Sequence, residues 1–165
     1  MSTLYVDNLQ PNLGSQVEIP DLKHNPGSLV QIKYAQSLSN TTSQANNTTN
    51  YVVVTGCSIT ITPKYTNSLL VVSGKINCYV TGGSYPYGFG SVFRDGIDTS
   101  SSTYGNGYLQ GDVDVGQLMP FGCILTSGST SPTTLDFRVR LGGGGATLFQ
   151  VNSSDKLMSV MEIAQ

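Results

Sequence analysis

The amino-acid sequence predicts an all-β protein: an antiparallel β-sandwich of jelly-roll type with about eight strands and an extended N-terminal arm. Apolar and polar residues alternate along several short runs, as they do in half-buried strands. Turn-forming residues separate these runs about every 8–15 residues. No stretch keeps a helical period of apolar residues, and no internal repeat suggests a propeller or a solenoid.

Residues 1–27 predict an extended arm, because Pro11, Pro20 and Pro26 exclude a long helix and interrupt sheet hydrogen bonding. Apolar side chains are dispersed along this segment, and we expect them to dock on a neighbouring subunit. They are Leu4, Tyr5, Val6, Leu9, Leu13, Val17, Ile19 and Leu22. A disordered tail or linker is the alternative, since ordering so many residues requires substantial burial elsewhere.

The turn sequence Asn25-Pro26-Gly27 precedes the sandwich domain, which we place at residues 28–165. Its first strand begins near Ser28. The later predicted strands are 51–62 with a bend at Gly56, 68–80 with a bulge or bend at Gly74, 89–93, 113–125, 135–141, 146–151 and 156–164. Residues 37–50 and 97–110 predict polar loops.

The clearest pattern lies in the C-terminal stretch 133–165. Apolar and charged residues alternate strictly across Leu135–Leu141, and the chain then passes through four glycines, Gly142–Gly145. We predict hairpin turns at these glycines and at Arg94-Asp95-Gly96. Because the last predicted strand is apolar and ends almost at Gln165, it must be packed in a sheet.

The composition excludes several classes of function. The net charge is −2 and the eight basic residues are scattered, so the sequence has no electrostatic footprint for nucleic acid. No apolar run approaches the roughly 20 residues that cross a membrane, and no secretory signal is visible. Charged residues make up only 11% of the chain, which suits a protein held in an assembly.

No recognisable catalytic constellation appears, and we expect neither enzyme activity nor a cofactor. The single histidine, His24, lies in the arm, where a surface position is expected. Asp112 and Asp114 project to one face and could contribute to a calcium site, but a hydrated turn is favoured. Gly142–Gly145 lacks the lysine of a phosphate-binding loop.

Cys57, Cys78 and Cys123 lie in apolar runs and predict small buried side chains rather than a zinc site or a disulfide framework. Four asparagines begin glycosylation sequons, and without a secretory route we interpret them as polar loop residues. They are Asn40, Asn46, Asn47 and Asn152.

Tyrosines cluster in and beside two mid-chain loops, the Gly- and Tyr-rich stretch 81–88 and the polar loop 97–110. Because tyrosine is amphipathic and enriched at interfaces, these residues are candidates for a subunit contact or for stacking on a glycan. The candidates are Tyr85, Tyr87, Tyr104 and Tyr108. Structural packing at a loop end is the alternative.

Several short motifs resemble small virion proteins of tailed bacteriophages, a group common among phages of cyanobacteria and often labelled tail-fibre-like. The motifs are Met1–Leu4, Pro63-Lys64-Tyr65 before Ser68–Ser73, Phe93–Gly96, Phe137-Arg138-Val139-Arg140, Asn152-Ser153-Ser154 and Leu157–Ile163. The resemblance implies a β-sandwich that assembles as a homotrimer on a phage particle, without catalytic residues.

Two positions on a virion are compatible with this resemblance. A capsid decoration, or cement, protein would use its arm to bridge subunits of the major capsid protein. A tail-fibre or receptor-binding head would attach to tail or baseplate proteins and contact host glycans. We favour the decoration protein, because the chain has one domain, no repeating shaft and no coiled-coil heptads.

Overall fold

The computed structural model describes residues 25–37, 44–102, 105–110, 116–143, 145–152 and 156–165. The candidate docking residues of the arm all precede residue 25 and therefore lie outside the described residues, as do His24, Tyr104, Asp112 and Asp114. No helix in the described ranges is long and apolar enough to cross a membrane.

The described residues form eleven strands. They are β1 (Leu29–Ser37), β2 (Gln44–Asn46), β3 (Val52–Ile61), β4 (Leu69–Thr81), β5 (Tyr87–Arg94), β6 (Ile97–Asp98), β7 (Gly107–Gln110), β8 (Gln117–Thr126), β9 (Thr133–Gly143), β10 (Leu148–Val151) and β11 (Lys156–Ile163).

Eight of these strands build the two layers of a jelly roll. In sheet A the order is β1-β11-β4-β8, and in sheet B it is β3-β9-β5-β7, with antiparallel pairing throughout. If these eight strands alone are counted in chain order, β1 is the first and β11 the eighth. The strand order is then 1-8-3-6 in sheet A and 2-7-4-5 in sheet B, which is the connectivity of a jelly roll. The predicted fold class is confirmed. The other three strands are short: β10 and β2 extend sheet A beside β4, and β6 forms a hairpin with β5.

The core lies between the sheets and follows the period-two pattern of each strand. Fully buried side chains include Leu70, Val72 and Ile76 from β4 and Leu135, Phe137 and Val139 from β9. The alternation from Leu135 to Leu141 therefore separates a core face from an outer face, as the sequence predicts.

Two glycines face this core and leave room for aromatic rings. A Cβ atom at Gly74 would overlap the ring of Phe121, and one at Gly90 would overlap the ring of Phe137. The bulge or bend predicted at Gly74 is wrong, because its pairing registers with β11 and β8 run through it unbroken. Space, rather than backbone bending, requires glycine there.

The last strand is packed in the sheet as predicted, between β1 and β4. Its buried Glu162 accepts hydrogen bonds from the backbone N–H groups of Lys64 (2.8 Å) and Tyr65 (3.2 Å). It also accepts from Ser68 Oγ at 2.7 Å and Gln31 Nε2 at 2.5 Å. This carboxylate therefore ties the β3–β4 connection to the C-terminal strand.

The hairpin predicted at Gly142–Gly145 is wrong. β9 belongs to sheet B, whereas β10 pairs with β4 and β2 in sheet A, so the glycine-rich segment crosses between the sheets. The hairpin at Arg94-Asp95-Gly96 is confirmed, since Arg94 pairs with Ile97 and both Asp95 (φ 50°) and Gly96 (φ 85°) have positive φ.

The two predicted loops each contain short strands. β2 lies within 37–50, and β6 and β7 lie within 97–110. Each of these strands forms by pairing with another strand: β2 with the distant β10, and β6 and β7 with β5. The bend at Gly56 is confirmed by its φ of 87° within a register shift between Val53 and Ser58.

Candidate functional site

The outer face of sheet B carries the densest group of charged and aromatic side chains that we find in the described residues. Asp136, Arg138 and Arg140 alternate along β9 with the buried residues of the core, so all three point outward. The neighbouring strands β3 and β5 place aromatic rings beside them.

Arg138 is held on two sides. Its Nε donates to Asp136 Oδ1 at 2.5 Å and its second terminal nitrogen donates to Oδ2 at 3.2 Å, which makes a two-pronged ion pair. Its guanidinium carbon also lies 4.3 Å from the ring centroid of Phe93. The hydrogen bond that Arg138 donates to Asp136 raises the pKa of the Arg138 guanidinium, so this cation keeps its charge throughout the physiological range.

Arg140 lies between two further rings. Its guanidinium carbon is 4.5 Å from the centroid of Phe89 and 5.1 Å from that of Tyr51. Tyr51 in turn meets Phe93 edge-on at 5.1 Å, which links the surroundings of Arg138 and Arg140. Guanidinium groups over aromatic faces are held by the ring quadrupole as well as by packing.

Two of the tyrosines singled out from the sequence join this group. Tyr87 and Tyr108 have centroids 6.1 Å apart, and they lie 5.4 and 5.8 Å from Phe89. We call the whole set the arginine–aromatic cluster: Tyr51, Tyr87, Phe89, Phe93, Tyr108, Arg138 and Arg140. Tyr85 lies two residues before β5 and is 72% exposed.

The segment between β6 and β7 packs over part of this face. Asn106 Oδ1 accepts hydrogen bonds from Ser91 Oγ at 3.0 Å and from Val92 N at 2.8 Å, and Asn106 N donates to Gly90 O at 2.8 Å. Asp98 also accepts from Ser91 Oγ. Phe89, Ser91 and Phe93 are therefore buried on what would otherwise be the outer face of the sheet.

The cluster is thus a packed layer with an aromatic rim. Tyr108 is 45% exposed, and its hydroxyl donates to Gln110 Oε1 at 3.1 Å. Such a rim can stack against a planar or ring-shaped ligand. In the described part of the chain, no group of three or more His, Cys, Asp or Glu residues could hold a metal ion.

Sequence reasoning found the tyrosines but missed Tyr51, Phe89, Phe93 and the two arginines. The signal was present in part, since the alternation in β9 already places Asp136, Arg138 and Arg140 on one face. The ring partners come from strands that are distant in sequence, and only the pairing of β3, β9 and β5 brings them together.

The predicted burial is confirmed for Cys57 and Cys78, whereas Cys123 is only half-buried. Among the sequon asparagines, Asn46 is a buried strand residue rather than a loop residue, and its side chain donates to Val139 O at 2.9 Å. Asn152 donates to Asn77 Oδ1 at 3.1 Å.

Comparison with known proteins adds information at the level of the fold. No protein-family model matches the sequence, and no curated protein matches it. Among solved structures, the chain is similar to the particle of infectious bursal disease virus VP2, with a TM-score of 0.51 and 13% identity over 94% of this chain. It is similar to the T=1 particles derived from the same virus, with a TM-score of 0.50 and 14% identity over 92% of this chain.

The chain shares the β-sandwich fold of this viral capsid protein. It spans only 36–37% of the length of those chains. A sugar-binding protein, the C-terminal domain of EclA, matches at a TM-score of 0.42 and 14% identity, over 94% of this chain and 99% of that chain, which is too low for any conclusion. The shared β-sandwich agrees with the fold that the resemblance implies, and nothing in these comparisons points to a tailed phage of cyanobacteria.

Proposed function

We propose that the protein is a structural component of a virus particle, and more specifically a capsid decoration protein of a tailed phage. The observation that supports it most is the jelly-roll connectivity, matched at TM-scores of 0.50–0.51 by proteins of assembled virus particles. Jelly rolls also occur in lectins, so the fold favours this function without being specific to it.

The surface chemistry supports a structural role. Charged residues are scarce, and Asp136, Arg138 and Arg140 on the outer face of sheet B are ion-paired or stacked on rings. Every buried side-chain nitrogen or oxygen in the described residues has a hydrogen-bond partner, so no orphaned polar group marks a ligand position there. These features fit a rigid building unit better than an enzyme.

In the proposed role, the apolar residues of the arm contact subunits of the major capsid protein, and the sandwich assembles as a homotrimer on the head. The protein is then located on the virion, assembled in the host cytoplasm, and makes no contact with nucleic acid or a membrane. The dispersed residues Leu4, Val6, Val17 and Ile19 provide two i, i+2 pairs that suit an extended segment laid on a neighbour.

The decisive measurement is the copy number per particle of the virus that encodes the chain, determined by quantitative mass spectrometry against the major capsid protein. A decoration protein is present in hundreds of copies, whereas a tail protein is present in a few trimers. Particles that carry Leu4→Asp together with Val6→Asp should lose the protein, while particles with Ser2→Asp as the control should keep it. Unchanged occupancy with the double variant would exclude attachment through the arm.

A second candidate is a tail-fibre or receptor-binding head that contacts host glycans, and the exposure of Tyr85 and Tyr108 favours it. A glycan array with the purified protein tests this candidate. Binding should be lost in Tyr85→Ala and Tyr108→Ala and retained in Tyr65→Ala, a half-exposed tyrosine away from the cluster.

Particles without a receptor-binding protein fail to adsorb to cells, whereas particles without a decoration protein adsorb but release DNA at lower temperature.

A further inference from the structure

The outer faces of the two sheets differ in chemistry. The outer face of sheet B is charged and partly covered, whereas the pairing register of sheet A aligns apolar side chains across its outer face. One row runs straight across four strands, from Ile32 on β1 through Met161 on β11 and Val71 on β4 to Ile124 on β8. A sheet face in contact with water is normally polar, so this row is unusual for a solvated surface.

On one side, neighbouring residues extend this row into a contiguous apolar patch. On the other side, Ser73 and Ser159, whose hydroxyl oxygens are 2.9 Å apart, separate the row from Leu118 and Leu157. We call the set the sheet A face: Leu29, Ile32, Tyr34, Leu69, Val71, Leu118, Ile124, Leu157, Met161 and Ile163. Ile124 is 65% exposed and Ile32 is 44% exposed, so both ends of the central row are open. Half of the ten large apolar side chains exposed among the described residues belong to this face. Contiguous apolar patches of this kind mark interaction sites.

Charge on this surface does not oppose contact between identical copies. Lys75 is the one charged side chain that points outward from the described strands of sheet A. Lys156 and Glu162 are buried inside the sandwich, and Lys33 donates across to Thr60 O on β3 at 3.0 Å. The first 24 residues hold three of the ten acidic and one of the eight basic residues, so the remaining chain carries seven of each. Two copies of the sandwich therefore meet with little electrostatic repulsion.

The size of the face is sufficient for a specific contact. Four strands spaced about 4.8 Å apart are roughly 19 Å wide, and residues 69–77 of β4 extend over about 30 Å. The face thus covers roughly 600 Å², and two copies would bury about 1,200 Å², which is at the lower end of specific protein interfaces.

We propose that the sheet A face packs against a second copy of this chain. The contact would exclude water from Ile32, Val71 and Ile124, which otherwise stay in solvent at an unfavourable free energy. The inference extends the proposed function by naming a self-association surface. Its test uses purified protein, so its failure is separate from a failure to find the protein on virus particles.

The test measures molar mass by light scattering and sedimentation velocity over a wide range of concentrations of the full-length protein. The wild type should form a species of two or more copies. Ile124→Lys and Ile32→Lys should each raise the dissociation constant at least tenfold, because each copy then brings a cation into an apolar contact. Ile97→Lys is the matched control: Ile97 is 74% exposed but lies on β6 in sheet B, so its variant should associate like the wild type.

Hydrogen exchange on the wild type gives a second measurement that needs no substitution. Amides of β1 and β8, which carry the two ends of the central row, should exchange faster upon dilution below the dissociation constant. A wild type that stays monomeric at every concentration would overturn the proposal. The face would then be covered by the chain's own residues 1–24 or left for another protein. Equal behaviour of the Ile124, Ile32 and Ile97 variants would overturn it as well.

Discussion

The rings of Phe121 and Phe137 stack face to face in the core, with centroids 3.6 Å apart and planes inclined by 8°. One ring comes from sheet A and the other from sheet B, so this pair joins the two layers. Because a face-to-face stack is not the arrangement that ring quadrupoles prefer, the surrounding packing must hold it. Gly74 and Gly90 contribute to that packing by leaving space where a methyl group would meet each ring.

Truncating one ring should reveal how much the stack stabilises the fold. Phe137 is fully buried, so Phe137→Ala should lower the free energy of unfolding by about 3–5 kcal/mol. Urea unfolding followed by circular dichroism measures this change. Tyr85→Ala is the control at an exposed aromatic residue and should stay within about 0.5 kcal/mol of the wild type.

Adding a single methyl group beside the stack should also be destabilising. Gly90→Ala places a Cβ atom against the Phe137 ring and should lower the free energy of unfolding by about 1–3 kcal/mol. In a Phe137→Leu background the same substitution should be less destabilising, because the smaller side chain leaves room. Additive effects in this double-mutant cycle would contradict a direct clash.

The hydrogen bonds to Glu162 predict that substitutions at this residue of the C-terminal strand lower the stability of the fold. Glu162→Gln keeps the shape and leaves one oxygen to accept from Lys64, Tyr65 and Ser68. It removes the charge and turns an NH₂ group toward the donor Gln31 Nε2, so it should destabilise the protein by about 2–3 kcal/mol. Ser68→Ala, which removes one of these donors, should have a smaller effect of about 1 kcal/mol. Urea unfolding provides both values, and Lys75→Gln serves as an exposed control. A Glu162→Gln protein as stable as the wild type would show that the network contributes nothing.

The hydrogen bonds of the turn between β5 and β6 predict that the stability of the fold depends on pH in the acidic range. Thr133 Oγ1 donates to Asp95 Oδ2 at 2.7 Å and Thr134 N donates to Oδ1 at 2.8 Å. These hydrogen bonds hold the pKa of Asp95 below its ordinary value of 3.8. A carboxyl group with a lowered pKa in the folded state stabilises the fold above its unfolded pKa, and this contribution is lost as the pH falls through the lowered value.

Asp95→Asn isolates this contribution, because asparagine tolerates the positive φ of the turn. The wild type should be more stable than the variant at neutral pH, and the difference should shrink as the pH falls below about 4. Unfolding curves of both proteins across this range test the prediction. The effect should be small because the carboxyl group is close to solvent, and a difference that is constant with pH would contradict it.

The free thiols should react slowly in the folded protein. Burial raises the pKa of Cys57 to about 11 and that of Cys78 to about 12. Near pH 8 their thiolate fraction is then below that of an ordinary cysteine by about two orders of magnitude for Cys57 and about three for Cys78. Alkylation followed by peptide mass spectrometry should label Cys57 and Cys78 slowly in native protein and rapidly in urea. Fast labelling in the native state would contradict their burial.

Local pattern predicted the strands but not where their side chains meet. The alternation in Leu135–Leu141 correctly separates the core face of β9 from its outer face, because the two-residue repeat of a strand is a local property of the backbone. The same stretch could not reveal that Arg138 stacks on Phe93 or that Arg140 lies between Phe89 and Tyr51. Those contacts depend on strand pairing between distant segments.

The glycines also fall into two groups, those whose role the local sequence predicts and those whose role depends on packing. Gly96 and Gly56 act through positive φ, which turn chemistry predicts from the sequence. Gly74 and Gly90 act through the space that they leave for Phe121 and Phe137, which come from other strands. Likewise, the four glycines at the end of β9 signal a change of direction, but whether the chain forms a hairpin or crosses to the other sheet depends on which strand offers an open edge.

By itself, then, the sequence determined the fold class, most strand positions, the packed C-terminal strand and the buried character of Cys57 and Cys78. Tertiary structure alone decided the arginine–aromatic cluster, the short strand β2, the crossover after β9 and the apolar sheet A face. The physical reason is that alternation and turn residues act through neighbours in the chain. Register and burial act through hydrogen bonds and packing between residues far apart in sequence.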